Sequence, residues 1–278
     1  MISCIICSRL PDVSERLKQN IADTIGSQYE LIIIDNSHNV YSIFSAYNEG
    51  VKRAKGDVLC FMHEDILYHS KGWGIGVYER FADKSVGMVG VLGTQFMPNT
   101  PSAWWWTGCR VGYVLQSKND ILGANETYVN GDPVNTDVDA VIVDGLWFCI
   151  RKELFDKIKF DEELFHSFHC YDHDICMQVI SQNKRILITH DIVIEHASLG
   201  KVGKEFMSQI HIFYNKWKKS FPVSRGIRID EVGQERMKNI TILLHDKNME
   251  LICLKDSKKY RTGCFLSKLV HPFIKQKI

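Results

Sequence analysis

Residues 56–70 begin as an apolar strand and end in polar, metal-competent side chains, with the sequence GDVLCFMHEDILYHS. The apolar run 58–62 has the length of a buried strand. His63, Glu64 and Asp65 follow it directly. Because ligands of open α/β sheets bind beyond the carboxyl ends of the strands, these three side chains are candidates for a binding site.

Composition restricts the classes of protein to consider. The chain has 278 residues, is 45% hydrophobic and 24% charged, and carries a formal net charge of +1. These values suit one globular domain with an appendage, or two small domains. The near-neutral charge does not favour a nucleic-acid-binding protein. Since the sequence shows neither ~18 uninterrupted apolar residues nor a basic leader with a cleavage site, we expect a cytoplasmic protein.

Strand and helix patterns alternate through the first half of the chain. The runs MISCIIC (1–7) and YELIIIDNS (29–37) predict strands. The segments 12–25 and 42–56 have helical spacing, the first with a possible Asp12 cap and the second closed by Gly56. Continuous apolar strands separated by helices of about ten to fifteen residues indicate a mostly parallel sheet covered on both faces, so the predicted fold class is α/β.

Nine cysteines raise the question of zinc or disulfides. Cys4 and Cys7 form C-x-x-C, but they lie in the first predicted strand, where their spacing places the two thiols on opposite faces. No second C-x-x-C follows. We therefore expect reduced, structural thiols.

The polar groups that follow the three predicted strands should converge on one crevice. They are Ser8-Arg9, Asp35-Asn36-Ser37 and His63-Glu64-Asp65. The glycine-rich phosphate cradles of dinucleotide-binding and P-loop proteins are absent from the sequence. A diphosphate held in this crevice would need a cation, and strand-end Asp with His or Glu supplies ligands suited to Mg²⁺ or Mn²⁺.

At these segments the sequence resembles a known family. ISCIICSR, YELIIIDNS and AYNEGVKRAKGDVLCFMHEDI resemble the nucleotide-sugar half of the family 2 glycosyltransferases, whose GT-A fold carries a metal-binding D-x-D motif at the corresponding strand end. Residues 143–179 resemble the acceptor-side segment, in which G-x-x-x-x-x-R-[KR] precedes E-D-x-D-L. The resemblance covers about residues 1–200 and shows two departures: D-x-D reads His63-Glu64-Asp65, and E-D reads Tyr171-Asp172.

The resemblance implies a GT-A architecture, with a Rossmann-like, mostly parallel central sheet flanked by helices. It places a glycosyltransferase domain in residues 1–222, divided into a nucleotide-sugar-binding half (1–92) and an acceptor-binding half (93–222). Residues 223–278 are then a small C-terminal accessory segment.

The resemblance also assigns the donor site residue by residue. The implied nucleotide-sugar-binding residues are Ser8, Arg9, Asp35, Asn36, Asn48, Gly56, His63 and Glu64. Asp65 and His196 are the implied ligands of Mn²⁺ or Mg²⁺. The alternatives are helix caps for the strand-end acids Asp35 and Asp65 and a structural role for His196.

Asp172 fills the place of the second acid and is the implied general base. Its aromatic surroundings are expected to raise the carboxyl pKa by burial. Asp174 is an implied orienting partner or acceptor contact, or an acid that the helix dipole favours. A zinc cluster of the histidines and cysteines in residues 166–176 is a further alternative, although the paired ligand spacing of structural zinc sites is absent. His169 is expected to line the donor or acceptor pocket.

Three consecutive tryptophans, 104–106, cannot all face one core. We expect Trp105 to form an acceptor wall, with a homo-oligomer interface as the alternative. Asp144, Gly145 and Trp147 are the other predicted acceptor contacts, since glycine permits close backbone approach.

The C-terminal segment has two parts. Residues 228–256 alternate apolar and polar, and residues 257–278 mix Lys and Arg with large apolar side chains. The second part predicts docking on the inner face of an anionic membrane, where a lipid-linked acceptor resides. A solvated basic tail or an oligomer contact are the alternatives.

The resulting functional expectation is an inverting glycosyltransferase of polysaccharide or cell-envelope synthesis. It would transfer a sugar from a nucleoside diphosphate sugar, with UDP favoured, to a hydroxyl of a glycan or lipid-linked acceptor, assisted by a cation and a carboxylate base. The alternatives are a sugar nucleotidyltransferase, for which residues 7–15 lack the usual phosphate loop, and an inactive nucleotide-sugar-binding scaffold.

Overall fold

The computed structural model describes residues 1–118, 121–123, 126–200 and 202–257. The strands are β1 (Ile2–Ser8), β2 (Tyr29–Asp35), β3 (Val58–Met62), β4 (Ile66–Tyr68), β5 (Val86–Gly90), β6 (Leu92–Thr94), β7 (Phe96–Met97), β8 (Arg110–Ser117), β9 (Thr127–Asp132), β10 (Val138–Ala140), β11 (Ile142–Val143), β12 (Trp147–Arg151), β13 (Arg185–Ile188), β14 (Ile194–His196) and β15 (Val223–Ser224). The helices are α1 (Glu15–Thr24), α2 (Ile43–Arg53), α3 (Trp73–Ala82), α4 (Tyr171–Ser181), α5 (Lys204–Trp217) and α6 (Glu231–Asp256), with short 3₁₀ helices at Trp104–Trp106, Lys152–Asp156 and Lys218–Ser220.

The main sheet has seven strands in the order β10-β13-β5-β12-β3-β1-β2. β1 is parallel to β2 and β3, β13 is parallel to β5, and β12 runs antiparallel to both β3 and β5. Five strands therefore share one direction, while β12 and β10 oppose them. The predicted mostly parallel α/β sheet is confirmed, and its register brings the ends of β1, β2 and β3 to one edge.

The central strands β3, β5 and β12 of this sheet are buried, whereas the edge strands β2 and β10 are partly exposed. Every residue of β3 is buried, as the apolar run 58–62 predicts. Helix α2 packs closely on β1, since a Cβ on Gly50 would lie 2.3 Å from Cγ2 of Ile5. This close packing fixes the middle of β1 against the helix.

Two predicted helix boundaries were wrong. The N-cap of α1 is Ser14, whose hydroxyl accepts a hydrogen bond from the backbone N–H of Leu17, while Asp12 pairs with Lys18. Helix α2 ends at Arg53, and its C-cap is Ala54 rather than Gly56. In both cases a residue nearer to the helix makes the backbone hydrogen bonds of the cap.

A second sheet of six strands stands beside the first, and the sequence did not predict it. Its order is β11-β6-β8-β14-β4, with β9 paired to β8. β14 pairs antiparallel with β4, which places His196 opposite Ile66. Because β4 begins directly after Asp65, this pairing carries β14 to the carboxyl end of β3, and the N–H of Ala197 donates to the carbonyl of Asp65 at 3.0 Å.

The C-terminal part differs from its predicted alternating pattern. β15 pairs with β7, and residues 231–256 form one long helix, α6, that packs near α5 and the tryptophan turn. None of the helices in the described ranges combines the length and apolar character needed to cross a membrane. The predicted membrane-docking tail lies, from residue 258 on, outside the described residues.

Candidate active site

The carboxyl ends of β1, β2 and β3 meet as predicted. Glu64 accepts hydrogen bonds from the Ser8 hydroxyl at 2.6 Å and from Nε of Arg9 at 2.8 Å. The backbone N–H of Asn36 donates to the carbonyl of Ser8 at 2.8 Å. Four of the predicted donor-site residues therefore form one connected edge of the crevice.

Asp35 and Asn36 have different roles at the end of β2. The side-chain amide of Asn36 exchanges two hydrogen bonds with the backbone of Tyr41, each 2.9 Å long, and so closes a loop. The exposed carboxylate of Asp35 accepts local hydrogen bonds from Ser37, which lower its pKa. Since Ser42 caps the next helix, the helix-cap alternative for Asp35 was wrong.

Asn48 and Gly56 are engaged elsewhere. The Asn48 amide donates to the carbonyl of Phe160 at 2.8 Å and accepts from its N–H at 3.1 Å. Gly56 lies at the amino end of β3, where a Cβ would stand 2.3 Å from the carbonyl oxygen of Met1. The prediction that Gly56 lines the nucleotide site was therefore wrong, because the crevice is at the opposite end of the strand.

His63, Asp65 and His196 bring three metal-ligating atoms together. Nδ1 of His63 lies 3.4 Å from Nε2 of His196, and Oδ1 of Asp65 lies 3.7 Å from the first and 3.5 Å from the second. A point equidistant from the three atoms is about 2.0 Å from each, close to the ~2.0–2.2 Å bonds of divalent metals to imidazole and carboxylate. The three side chains therefore fit one divalent cation.

Hydrogen bonds from the 197–198 segment and β8 hold these ligands. Ser198 donates its hydroxyl and its backbone N–H to Oδ2 of Asp65, at 2.6 and 3.2 Å. The buried amide of Gln116 donates to the carbonyls of His196, Ala197 and Ser198. Asp65 precedes a strand, so its helix-cap alternative was wrong.

The pKa values of this cluster favour cation binding. Burial raises the pKa of Asp65, but His196, His63 and the Ser198 hydrogen bond outweigh it and hold that pKa well below its usual range. Burial and the neighbouring His196 lower the pKa of His63 to about 4. At neutral pH the cluster therefore presents an ionised carboxylate and a neutral His63 imidazole.

Asp172 is the second residue of α4 and is 9% exposed. Its Oδ1 accepts the backbone N–H and the ring Nδ1–H of His173, both at 2.8 Å, and its Oδ2 accepts the N–H of Gly145 at 3.1 Å. Nε2 of His173 in turn accepts the N–H of Trp104 at 3.3 Å, which assigns the ring proton to Nδ1. Burial raises the pKa of Asp172, but His173 and these N–H groups outweigh it and lower the pKa overall, so the expected upward shift was wrong.

Asp144 is a second carboxylate near Asp172. Burial, reinforced by the charge of Asp172, raises the pKa of Asp144 to about 6. The Asp144 side chain also accepts the N–H of Leu146 at 2.9 Å. The environment therefore raises the pKa of Asp144 and lowers that of Asp172. Such a divergence of pKa values is found where one carboxyl group acts as an acid and the other as a base.

A sequence model of the glycosyltransferase-like family matches residues 1–205, about three quarters of the chain. The chain belongs to this family. The protein is a glycosyltransferase, as its sequence predicts. No curated protein gives a significant match.

Solved structures show the fold of this glycosyltransferase. Residues 1–349 of S. aureus TarS in complex with UDP match with a TM-score of 0.53 and 12% identity, covering 94% of this chain and 76% of TarS. The UDP-GlcNAc complex of TarS matches with a TM-score of 0.52 and 12% identity, covering 94% and 77%. The mannosyltransferase PcManGT from Pyrobaculum calidifontis, in complex with GDP-Man and Mn²⁺, matches with a TM-score of 0.47 and 12% identity, covering 94% of this chain and 82% of PcManGT. The likeness to TarS confirms the predicted GT-A fold.

Two predicted acceptor contacts of the glycosyltransferase were wrong. Trp147 is fully buried and packs edge-on against Trp73, with ring centroids 5.9 Å apart. Asp174 is 1% exposed and binds the ammonium of Lys216 and the indole N–H of Trp217, both at 2.8 Å. Asp174 therefore joins α4 to α5, and this ion pair, more than the helix dipole, accounts for a buried acid at that position.

The three tryptophans of the predicted acceptor wall differ in burial. Trp104 and Trp106 are buried, while the half-buried Trp105 stacks on Phe206 at 5.2 Å. His169 contacts the same Phe206 edge-on at 5.3 Å. Trp105 and His169 thus share one aromatic cluster, which the Trp104–His173 hydrogen bond connects to Asp172.

Sequence reasoning missed several residues that hold the site together. Tyr171 binds Nε2 of His63 at 2.8 Å, His173 holds Asp172, and Gln116 holds the segment after β14. The available sequence signal for Gln116 is its position near the end of an apolar run, since a polar side chain that becomes buried there needs hydrogen-bond partners. Among the described residues, the zinc alternative for residues 166–176 finds no ligand cluster.

Proposed function

We propose that this glycosyltransferase moves a sugar from a nucleoside diphosphate sugar to a hydroxyl of a glycan or lipid-linked acceptor, with inversion at the anomeric carbon. The observation that carries the proposal is the 2.8 Å contact between His63 and Tyr171. It joins the metal-ligand cluster to the first residue of α4, and Asp172 is the next residue. A cation site and a carboxylate therefore lie side by side at the carboxyl ends of the strands.

On the donor side, the edge formed by Ser8, Arg9, Asn36 and Glu64 is proposed to receive the nucleotide, together with the exposed Asp35 that precedes Asn36. UDP is favoured because TarS, which shares the fold, is solved with UDP and UDP-GlcNAc. His63, Asp65 and His196 would hold Mn²⁺ or Mg²⁺ beside the diphosphate. A cation bound there offsets the negative charge that develops on the leaving diphosphate.

On the acceptor side, Asp172 is proposed to take the proton of the attacking hydroxyl. The new C–O bond forms on the face opposite the diphosphate while the bond from the anomeric carbon to the diphosphate breaks. General base catalysis of this kind contributes typically ~10²–10⁴-fold. Asp144 is a second candidate for the base, because its pKa of about 6 lies nearer to neutral pH. Trp105, His169 and Gly145 are proposed to border the acceptor.

Localisation follows as a further part of the proposal. Residues 257–278 contain six Lys and Arg and no acidic residue. Such a segment is attracted to anionic lipids. We place the enzyme in the cytoplasm, in contact with the inner face of the membrane through this segment, in a pathway that builds cell-envelope polysaccharide.

A panel of nucleotide sugars, with and without Mn²⁺, tests the function. We expect one donor to raise the melting temperature and to be slowly hydrolysed in a metal-dependent manner, because bound ligand stabilises the folded state and water replaces the acceptor. Asp65→Ala should abolish the Mn²⁺ dependence. Asp137→Ala is the matched control, since it removes a carboxylate from a different His and Asp cluster.

The alternatives give different results. Donor binding with no hydrolysis or transfer under any metal would identify a scaffold. Release of pyrophosphate from a nucleoside triphosphate and a sugar phosphate would identify a nucleotidyltransferase.

A further inference from the structure

Two of the three atoms that converge on the cation position are imidazole nitrogens, and only one is a carboxylate oxygen. We infer that this site selects a first-row transition ion over Mg²⁺, and that Tyr171 is the positioning residue that makes His63 a ligand. The inference deepens the proposed function by naming the class of cation that binds. It rests on the proposed function only for the statement that the bound cation is used in sugar transfer.

The hydrogen bond to Tyr171 decides which nitrogen of His63 faces the cation. Nε2 lies 2.8 Å from the Tyr171 hydroxyl, and Nδ1 faces Asp65 and His196. A neutral imidazole carries one N–H, so a lone pair at Nδ1 requires the proton at Nε2. The Tyr171 oxygen is the acceptor that this tautomer needs, and such partners of metal-bound histidines fix both ring orientation and basicity.

The position of the Tyr171 hydroxyl is itself fixed. The ring is buried and packs edge-on against Tyr47 at 5.6 Å and Phe44 at 6.3 Å. Gly145 makes room for the hydroxyl, since a Cβ there would lie 2.2 Å from it. Because the ring cannot swing away, His63 is held with Nδ1 toward the other two ligands.

The two departures from the family motifs are therefore in direct contact. His63 stands at the first position of D-x-D and Tyr171 at the first position of E-D, and the structure hydrogen-bonds one to the other. An acid at either place would lose this contact or change the ligand type. The pair acts as a unit that supplies a nitrogen ligand of defined tautomer.

The donor set determines the class of cation. Mg²⁺ prefers oxygen ligands and dehydrates reluctantly, whereas imidazole suits the later first-row ions. For one set of nitrogen and oxygen ligands, affinity rises from Mn²⁺ through Fe²⁺ to Co²⁺. We therefore expect the order Mg²⁺, then Mn²⁺, then Co²⁺, from weakest to tightest.

Metal titrations of the full chain without any nucleotide sugar test this order. We expect the wild-type protein to bind Mn²⁺ at least ~10-fold more tightly than Mg²⁺. Co²⁺ should bind more tightly than Mn²⁺. The visible absorption of bound Co²⁺ should report nitrogen ligation. In His63→Asp, which exchanges the nitrogen for an oxygen ligand, the preference for Co²⁺ over Mg²⁺ should fall by about tenfold.

Tyr171→Phe tests the positioning role. Loss of the hydroxyl should weaken Mn²⁺ and Co²⁺ binding by ~10–100-fold, the usual effect of removing such a partner. Tyr47→Phe is the matched control: it removes a neighbouring buried hydroxyl that has no hydrogen-bond partner among the described residues, and it should bind metal as the wild type does. Melting temperatures show whether each variant is folded, and His63→Ala provides a second test of the ligand if Tyr171→Phe does not fold.

Mg²⁺ binding as tight as that of Mn²⁺ and Co²⁺ would overturn the inference, as would wild-type Co²⁺ affinity and spectrum in folded Tyr171→Phe or in His63→Ala. A protein that selects Co²⁺ but transfers no sugar supports the inference and contradicts the proposed function. A protein that transfers sugar yet binds Mg²⁺ as tightly as Mn²⁺ and Co²⁺ supports the proposed function and contradicts the inference.

Discussion

Replacing Asp172 by Asn removes the proposed base and also places a donor against a donor in a buried network. In the native side chain Oδ1 accepts two N–H groups of His173, and Oδ2 accepts the N–H of Gly145. An asparagine has one oxygen and one NH₂ group. Whichever way the amide is oriented, its NH₂ group faces a backbone N–H, so Asp172→Asn should lose stability as well as transfer.

The size of both effects follows from this geometry. A buried donor left without an acceptor costs about 1–3 kcal/mol in the free energy of unfolding. For a domain of about 150–250 residues, each kcal/mol lowers the melting temperature by about 2–4 °C. Because the amide cannot take a proton at neutral pH, the transfer rate should fall by ~10²–10⁴-fold. Donor affinity should remain, since the proposed cation ligands are His63, Asp65 and His196.

The assay compares transfer rate, Mn²⁺-dependent donor affinity and melting temperature for this one substitution. Asp174→Asn is the matched control, because Asp174 lies on the same helix and its loss removes one of the two carboxylates that bind Lys216. It should lower the melting temperature and leave transfer largely intact below that temperature.

A transfer rate of Asp172→Asn within a few-fold of the wild type would refute the reasoning and move the role of base to Asp144. A fall in donor affinity together with activity would instead make Asp172 a metal ligand.

The other expectations concern pH and the C-terminal segment. Because the pKa of Asp144 is raised to about 6, the stability associated with its protonated form is present below ~4 and is lost as pH rises through about 6. Asp144→Asn should therefore melt above the wild type at pH 8 and lose that advantage at pH 4. The transfer rate should be level from pH 6 upward if Asp172, with its lowered pKa, is the base, whereas a rate that halves near pH 6 would indicate Asp144. Truncation after Ser257 should leave melting and donor binding unchanged while weakening sedimentation with anionic vesicles, and unchanged sedimentation would contradict the membrane role.

The first three strands were predictable because each is a continuous apolar run bounded by a helical pattern. Residues 58–62 show this directly, since all five are buried as predicted. The second sheet gave no such signal, because strands such as β4 and β14 have three residues each and no period can be read from so few. The pairing of those two strands brings His196 to Asp65, so only the resemblance, and not the pattern, pointed to that half of the metal site.

Residue type also failed to indicate which way a side chain faces. Trp147 and Asp174 were both predicted to contact the acceptor. Trp147 instead lies in the core, and Asp174 binds Lys216 of α5. In α6, Ile240 and Leu243 are exposed, whereas Leu244 and Ile252 pack against the core, so the apolar residues of the segment do not mark a single face. The helix was therefore missed.

The hydrogen bonds of Asp172 limit how an acceptor can contact its carboxylate. Two N–H groups of His173 occupy both lone pairs of Oδ1, and Gly145 occupies one lone pair of Oδ2. Among the described residues no other group reaches that carboxylate, so a single lone pair on Oδ2 is left to receive a proton. If Asp172 is the base proposed above, the acceptor hydroxyl has to reach that one lone pair. The regiochemistry of the glycosidic linkage would then be set by the angle at which the carboxylate presents that lone pair, before any contact with the rest of the acceptor is made.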